Sequence, residues 1–222
     1  MLLLENIKTK FDPKRLAENI HLDINAPEFL EFKELIEQVK PITAPKMLLS
    51  KLAVINKDDS KLSCSAGNFN CSLLAQLAGD CEFVFPFIAT CGEEIEKFGS
   101  DISDPLHLYW LDILKEHALE TAFQKAKAET AKQCHNQIIT SLIPIDDELW
   151  PLNGLREIFG VFESSYIERL GVELTEYLYM KPTKSRAGVF FPTDKELELC
   201  LLCSLKKCKN CPVTQSKKLD KH

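Results

Sequence analysis

Glu82-Phe83-Val84-Phe85-Pro86-Phe87-Ile88-Ala89-Thr90 contains the longest apolar stretch of the chain, and Cys91-Gly92 follows it directly. A short run dominated by Phe, Val and Ile and closed by a glycine reads as a buried strand. Pro86 has no N–H to give to a ladder, which places this strand at an edge or at a bulge. Gly92 then opens a helix whose first turn carries Glu93 and Glu94.

Working downstream, Asp104-Pro105 pairs a capping residue with a first-turn proline and starts the longest helix, which runs to about Lys132. Its stripe of Leu111, Leu114, Ala118 and Ala122 lets a sheet or a neighbouring helix come close. A strand is expected over Ile138 to Ile143, and a helix from about Leu152 to Val161. Two more strands follow, Val172 to Met180, with Val172, Leu174, Leu178 and Met180 on one face, and Ser185 to Phe191. Thr193-Asp194 then caps a helix leading into the tail. Upstream, a short strand precedes a helix over about 13–22, capped by Asp12 with Pro13 in its first turn. Another helix begins near Pro27, gathers Phe29, Phe32, Ile36 and Val39 on one face, and stops before Pro41. Met47 to Cys64 reads as strand, turn, strand, and about Cys71 to Ala78 as a short helix. The chain therefore divides into a helical N-terminal segment (1–45), a mixed core (46–192) and a cysteine-rich tail (193–222).

A chain of 222 residues, 45% hydrophobic and 27% charged, buries enough surface on folding to need no covalent staples. Its net charge of −6 and the lack of a basic stripe exclude nucleic acid as the main partner. Lys206, Lys207 and Lys209, with Lys217, Lys218 and Lys221, read as a solvated end. Glu5 interrupts Met1-Leu2-Leu3-Leu4 before it can act as a signal sequence, and no run approaches the roughly 20 apolar residues of a membrane span. The expectation is a cytoplasmic protein with no membrane partner and with reduced thiols.

Of nine cysteines, Cys64, Cys71, Cys81, Cys91 and Cys134 are scattered and read as packed thiols. Cys200, Cys203, Cys208 and Cys211 form two CxxC pairs four residues apart, a spacing that brings four thiolates onto one metal ion or cluster. Zinc and an iron–sulfur cluster both suit such a donor set. His107, His117 and His135 lie on or beside the long helix without a ligand at metal spacing, and read as structural or exposed.

Trp150-Pro151-Leu152, Leu170-Gly171-Val172-Glu173-Leu174-Thr175-Glu176 and Met180-Lys181-Pro182-Thr183-Lys184-Ser185-Arg186-Ala187-Gly188-Val189 together resemble the activation domain of vitamin B12-dependent methionine synthase, in the form of its short, free-standing bacterial relatives. Phe85 to Gly92 resembles that family's strand ending in Thr-x-Gly, and the helix from Asp104 its long central helix. The resemblance covers about 50–192 and implies an α/β (α+β) fold, an antiparallel twisted sheet with packed helices. It also implies a domain that binds S-adenosylmethionine and covers a corrin, so that cob(II)alamin is remethylated after reduction. Glu176, Lys184, Ser185 and Gly188 match the family's strand and turn, and are the cofactor-site candidates it implies.

Two ligand contacts of the family are absent. Its Arg-x-x-x-Gly-Tyr segment is replaced by Leu142-Ile-Pro-Ile-Asp-Asp147, and its tyrosine after the Ser-x-x-Gly turn by Phe190. Missing hydrogen-bonding groups weaken the hold on a charged ligand, so S-adenosylmethionine is expected to bind weakly or not at all.

The expected function is an accessory or reactivation-type role in corrinoid-dependent methyl transfer. The core docks on a cobalamin-binding protein through 180–185, and the four-cysteine tail holds a cluster, with [4Fe–4S] favoured in this family context, that relays electrons. The alternative is a non-catalytic interaction module with a structural zinc. A free methyltransferase is the weakest reading, because the chain has no glycine-rich nucleotide loop.

Overall fold

A computed structural model describes residues 1–135, 137–145 and 149–194. Ahead of the decisive run come strand β1 (Leu2–Leu4), helices α1 (Pro13–Asn19) and α2 (Pro27–Val39), strands β2 (Lys46–Leu49), β3 (Leu52–Lys57), β4 (Leu62–Cys64) and β5 (Gly67–Phe69), and helix α3 (Ser72–Ala78). The run itself is strand β6 (Phe83–Thr90). Helix α4 (Glu93–Phe98), helix α5 (Pro105–Gln133), strand β7 (Ile138–Leu142), helices α6 (Gly154–Gly160) and α7 (Ser164–Leu170), and strands β8 (Glu173–Leu174), β9 (Met180–Lys181) and β10 (Ser185–Thr193) complete it. The strand pairing is antiparallel throughout, and β1 to β7 with β10 make one sheet.

β6 is central, not an edge. On one side β10 pairs with it from Ser185↔Thr90 to Phe190↔Phe85, and on the other lie β2 and then β3. Nor is there a bulge at Pro86: its register with β10 is continuous, and β2 and β3 keep one register on β6, from Leu49↔Phe87 to Leu52↔Val84. The backbone leaves the ladder at Ser50-Lys51, between β2 and β3, and the Ser50 N–H donates to the Pro86 carbonyl at 3.0 Å. In an antiparallel strand a residue's N–H and C=O face the same neighbour. The N–H that Pro86 lacks would have faced Ser50, so the reciprocal bond of this pair is missing and the ladder is interrupted there.

The run is apolar at every position because both faces of β6 are covered. Phe85, Phe87 and Ala89 enter a core with α1, α2 and α5, whereas Val84 and Ile88 enter a second core with α3, α6 and α7. β10 divides the same way, with Phe190 in the first core and Ala187, Val189 and Phe191 in the second. In the first core the Phe87 and Phe190 rings stack at 4.0 Å and Phe123 of α5 packs on both. Ala118, Ala122 and Ala126, one turn apart and fully buried, let α5 lie close on the sheet. Asp104 caps α5 by accepting from Leu106 N and His107 N, and Asp12 caps α1 by accepting from Lys14 N and Arg15 N.

The segment 172–180 is not one strand. Only Glu173–Leu174 and Met180–Lys181 are extended, and they pair with each other as a hairpin. Leu178 adopts φ 64°, Thr175 N donates to Tyr179 O at 2.8 Å, and Tyr179 N donates to the Thr175 hydroxyl at 3.1 Å. These turn bonds satisfy the backbone locally and outcompete extension. α7 and β5 are additions to the elements read from sequence. The helix expected after Thr193-Asp194, and with it Cys200, Cys203, Cys208 and Cys211, lies outside the described residues.

Candidate functional site

β6 ends where the chain turns sharply at Gly92, whose φ of 97° is disfavoured for any side chain and whose Cβ would stand 2.6 Å from Ala44 O. Thr90, fully buried at this end, accepts from Gly92 N at 3.3 Å. Ser185 Oγ lies 2.9 Å from Thr90 Oγ1 and 2.8 Å from Pro182 O. A hydroxyl has one proton to give and a carbonyl can only accept, so Ser185 donates to Pro182 O and accepts from the Thr90 hydroxyl. The result ties the 182–185 turn to the end of β6.

Beside this turn lies an open front cleft of about 1090 Å³, walled by α5, Ile143-Pro144, the start of α6 and the β8–β9 hairpin. Glu176, Lys184 and Ser185 all line it. Gly188, three residues along β10, does not. Its Cβ would stand 2.5 Å from Leu142 O and 2.6 Å from Ile143 Cγ2, so glycine there permits a close approach behind the cleft wall.

Lys184 is committed to helix α5, with Nζ 2.9 Å from Asp112 and 3.6 Å from Glu116. Burial works to lower its pKa, but the two carboxylates outweigh that and hold it above the ordinary lysine value. Two residues along the same strand face, Arg186 pairs with Glu116 at 3.3 Å and Glu120 at 3.1 Å, and its guanidinium stacks 4.5 Å from the Phe123 ring centre. Asp112, Glu116 and Glu120 are spaced four apart on α5, matching strand positions two apart. Sequence reasoning missed Arg186, although this double spacing was its signal. Lys115 pairs with Glu96 at 2.9 Å, and the Thr183 hydroxyl also donates to Glu96. Burial raises the Glu96 pKa, but the Lys115 and Thr183 bonds override it and hold the carboxyl below its usual 4.5.

Tyr177 and Tyr179 were also missed. They flank Leu178 at the hairpin tip, 74% and 72% exposed, and both line the front cleft. Phe190, by contrast, is fully buried on Phe87 and cannot reach the cleft. Ile143 and Pro144 present apolar atoms to the cleft wall. Glu176 engages the fold through its backbone, accepting from Arg156 at 2.8 Å, while its side chain is exposed.

Compared with solved structures, this chain is similar to the MetH reactivation domain crystallised with AdoHcy, with a TM-score of 0.61 and 12% identity, covering 89% of this chain and 80% of that one. The fold is that of a MetH reactivation domain. No protein-family model matches the sequence, and no curated protein matches it.

Within this reactivation-domain fold the scattered cysteines pack as expected. Cys64, Cys71, Cys91 and Cys134 are buried and Cys81 is half-buried. Burial pushes the Cys64 thiol up to about 11 and Cys91, with Glu96 nearby, up to about 12. Both stay protonated at neutral pH, which suits packing rather than ligation or attack. Among the described residues no group of three or more His, Cys, Asp or Glu could hold a metal ion, and no helix is long and apolar enough to cross a membrane. His107 stacks on Trp110 and meets Glu31, and His117 donates to Lys10 O at 2.9 Å, both structural roles.

Proposed function

We propose that this chain is an accessory, reactivation-type protein for corrinoid-dependent methyl transfer, which docks through the front cleft and its rim on a cobalamin-binding protein. The observation that carries the reading is the likeness to the MetH reactivation domain over most of both chains. The cleft supports it. Its rim sets two exposed tyrosines beside a basic turn, and amphipathic aromatics of this kind anchor interfaces. Because Lys184 is already paired, Lys181 is the cation on that turn left to steer a partner or a corrinoid tail.

S-adenosylmethionine remains a weak candidate for this cleft, although AdoHcy is bound in the MetH structure. Lys184 and Arg186 are neutralised by α5, so neither is free to hold an α-carboxylate. The same commitment favours the alternative, an interaction module without catalysis. In the first reading Cys200, Cys203, Cys208 and Cys211 hold an iron–sulfur cluster that relays electrons, and in the second a structural zinc.

The decisive experiment titrates the full chain into a purified cob(II)alamin-loaded corrinoid protein and follows both complex formation and the cobalamin absorption spectrum. A complex that perturbs the spectrum supports reactivation. A complex with an unchanged spectrum supports the interaction module, and no complex at about 100 μM, weaker than about −5.5 kcal/mol, removes the docking reading. Iron, zinc and sulfide analysis of wild type and of Cys203→Ser and Cys208→Ser tests the tail. Unchanged metal content in both variants would sink the four-thiolate site.

A further inference from the structure

The β8–β9 hairpin is a thin wall with a cavity on each side. Behind it, between α4, α6 and α7, lies a second open cavity of about 810 Å³, a volume in the range of small-ligand sites. Its apolar floor is Phe159 of α6, Ile167 of α7, Val172 and Leu174 at β8, and Pro182 after β9. Ile167 and Leu174 pack on the second core yet stay half-buried, so each keeps apolar surface open on the cavity side.

Some of the charged groups at this cavity are paired within the protein, Glu93 with Lys97 and Glu96 with Lys115. Glu173 and Lys181 face each other across the hairpin ladder with no ion pair between them, and line the front cleft as well as this cavity. Two further groups, on the framing helices α6 and α7, face this cavity alone. Arg156 spends one N–H on the Glu176 carbonyl and keeps its remaining guanidinium donors. The Glu168 carboxylate has no partner among the described residues. One uncommitted cation and one uncommitted carboxylate over an apolar floor match a ligand that carries both charges on an apolar body.

We propose that the cavity behind the hairpin binds a zwitterionic small molecule with an apolar body, an apolar α-amino acid or dipeptide, with its carboxylate on Arg156, its ammonium on Glu168 and its side chain on Phe159, Ile167 and Leu174. This site is separate from the front cleft and independent of any corrinoid partner.

The test uses the full chain and ligand-observed NMR titrations with L-leucine and L-leucyl-L-leucine, and with 4-methylpentanoate and isopentylamine as single-charge controls. At least one zwitterion should bind saturably at one site, and which one binds distinguishes amino acid from dipeptide. Arg156→Gln and Glu168→Gln, both at exposed positions, should each weaken it about tenfold or more. Ile167→Trp, which fills the cavity, should abolish binding, and Leu152→Trp in the front cleft should leave it unchanged. Thermal unfolding of each variant checks that it is folded. Failure of both zwitterions to bind, equal binding by a single-charge control, unaltered binding in Arg156→Gln and Glu168→Gln, or loss in Leu152→Trp would overturn the proposal.

Discussion

β6 and β10 pair over six positions with both faces in dry core, whereas β8 and β9, just upstream of β10 in the chain, pair over two and are otherwise held by turn bonds and by Arg156. Buried ladders open only with the whole domain, while short exposed ones open locally. The lesson is a division of labour. The long ladder fixes the position of the 182–185 turn, and the short one carries the exposed tyrosines.

The sharpest way to break this contrast is Phe87→Ala in the long ladder. It deletes a ring stacked on Phe190 and edge-on to Phe123, and should cost about 3–5 kcal/mol in urea unfolding. A loss under about 1 kcal/mol would mean that the first core is not the stabilising unit described. Gly188→Val comes next, because a side chain there collides with the Leu142 carbonyl. About 1–3 kcal/mol of overpacking cost is expected, with β7 amides exchanging faster. Arg156→Gln should cost less than about 1 kcal/mol globally and yet speed proteolysis between 173 and 181. Equal protection in both proteins would show that the hairpin is not held there.

pH gives a subtler distinction. The lowered Glu96 pKa means that its contribution is complete above the ordinary value of 4.5 and is lost as pH falls through the lowered one. The melting-temperature gap between wild type and Glu96→Gln should therefore shrink from about pH 5 to pH 3. A gap independent of pH would detach Glu96 from the 183 turn. The smallest stability effect belongs to Tyr177→Ser with Tyr179→Ser, within about 0.5 kcal/mol, and on the proposed docking reading the same variant should bind a corrinoid protein more weakly.

The sheet and the helices were legible wherever burial repeats with a simple period. The caps at Asp12 and Asp104, the face of α2 and the apolar run of β6 all declared themselves. Pro86 misled about position because a missing N–H is satisfied as well by a break in the neighbouring strand as by an edge. The 172–180 hairpin misled for another reason. Val172, Leu174, Leu178 and Met180 keep a strand's alternation, and nothing in that pattern reveals the positive φ at Leu178. Glu176, Lys184 and Ser185, named through resemblance, line the cleft. The α5 carboxylates that neutralise Lys184 and Arg186 lie some 70 residues away in sequence, and pairing at that range is set by how α5 crosses the sheet.

Strand β10 is also a ruler. It begins at Ser185 in the front cleft and ends at Thr193, beside Cys81 and Cys134. At about 3.3 Å per residue the two ends stand some 26 Å apart. From Asp194, six residues of fully extended chain reach at most about 21 Å, so Cys200 taken alone cannot return to Ser185. On the proposed relay reading, an electron passing from the four-cysteine segment to a corrin at the front cleft would need a tail doubled back along the sheet, or a route through a second protein. Shortening the chain between Asp194 and Cys200 separates these two circuits, because only the first depends on its length.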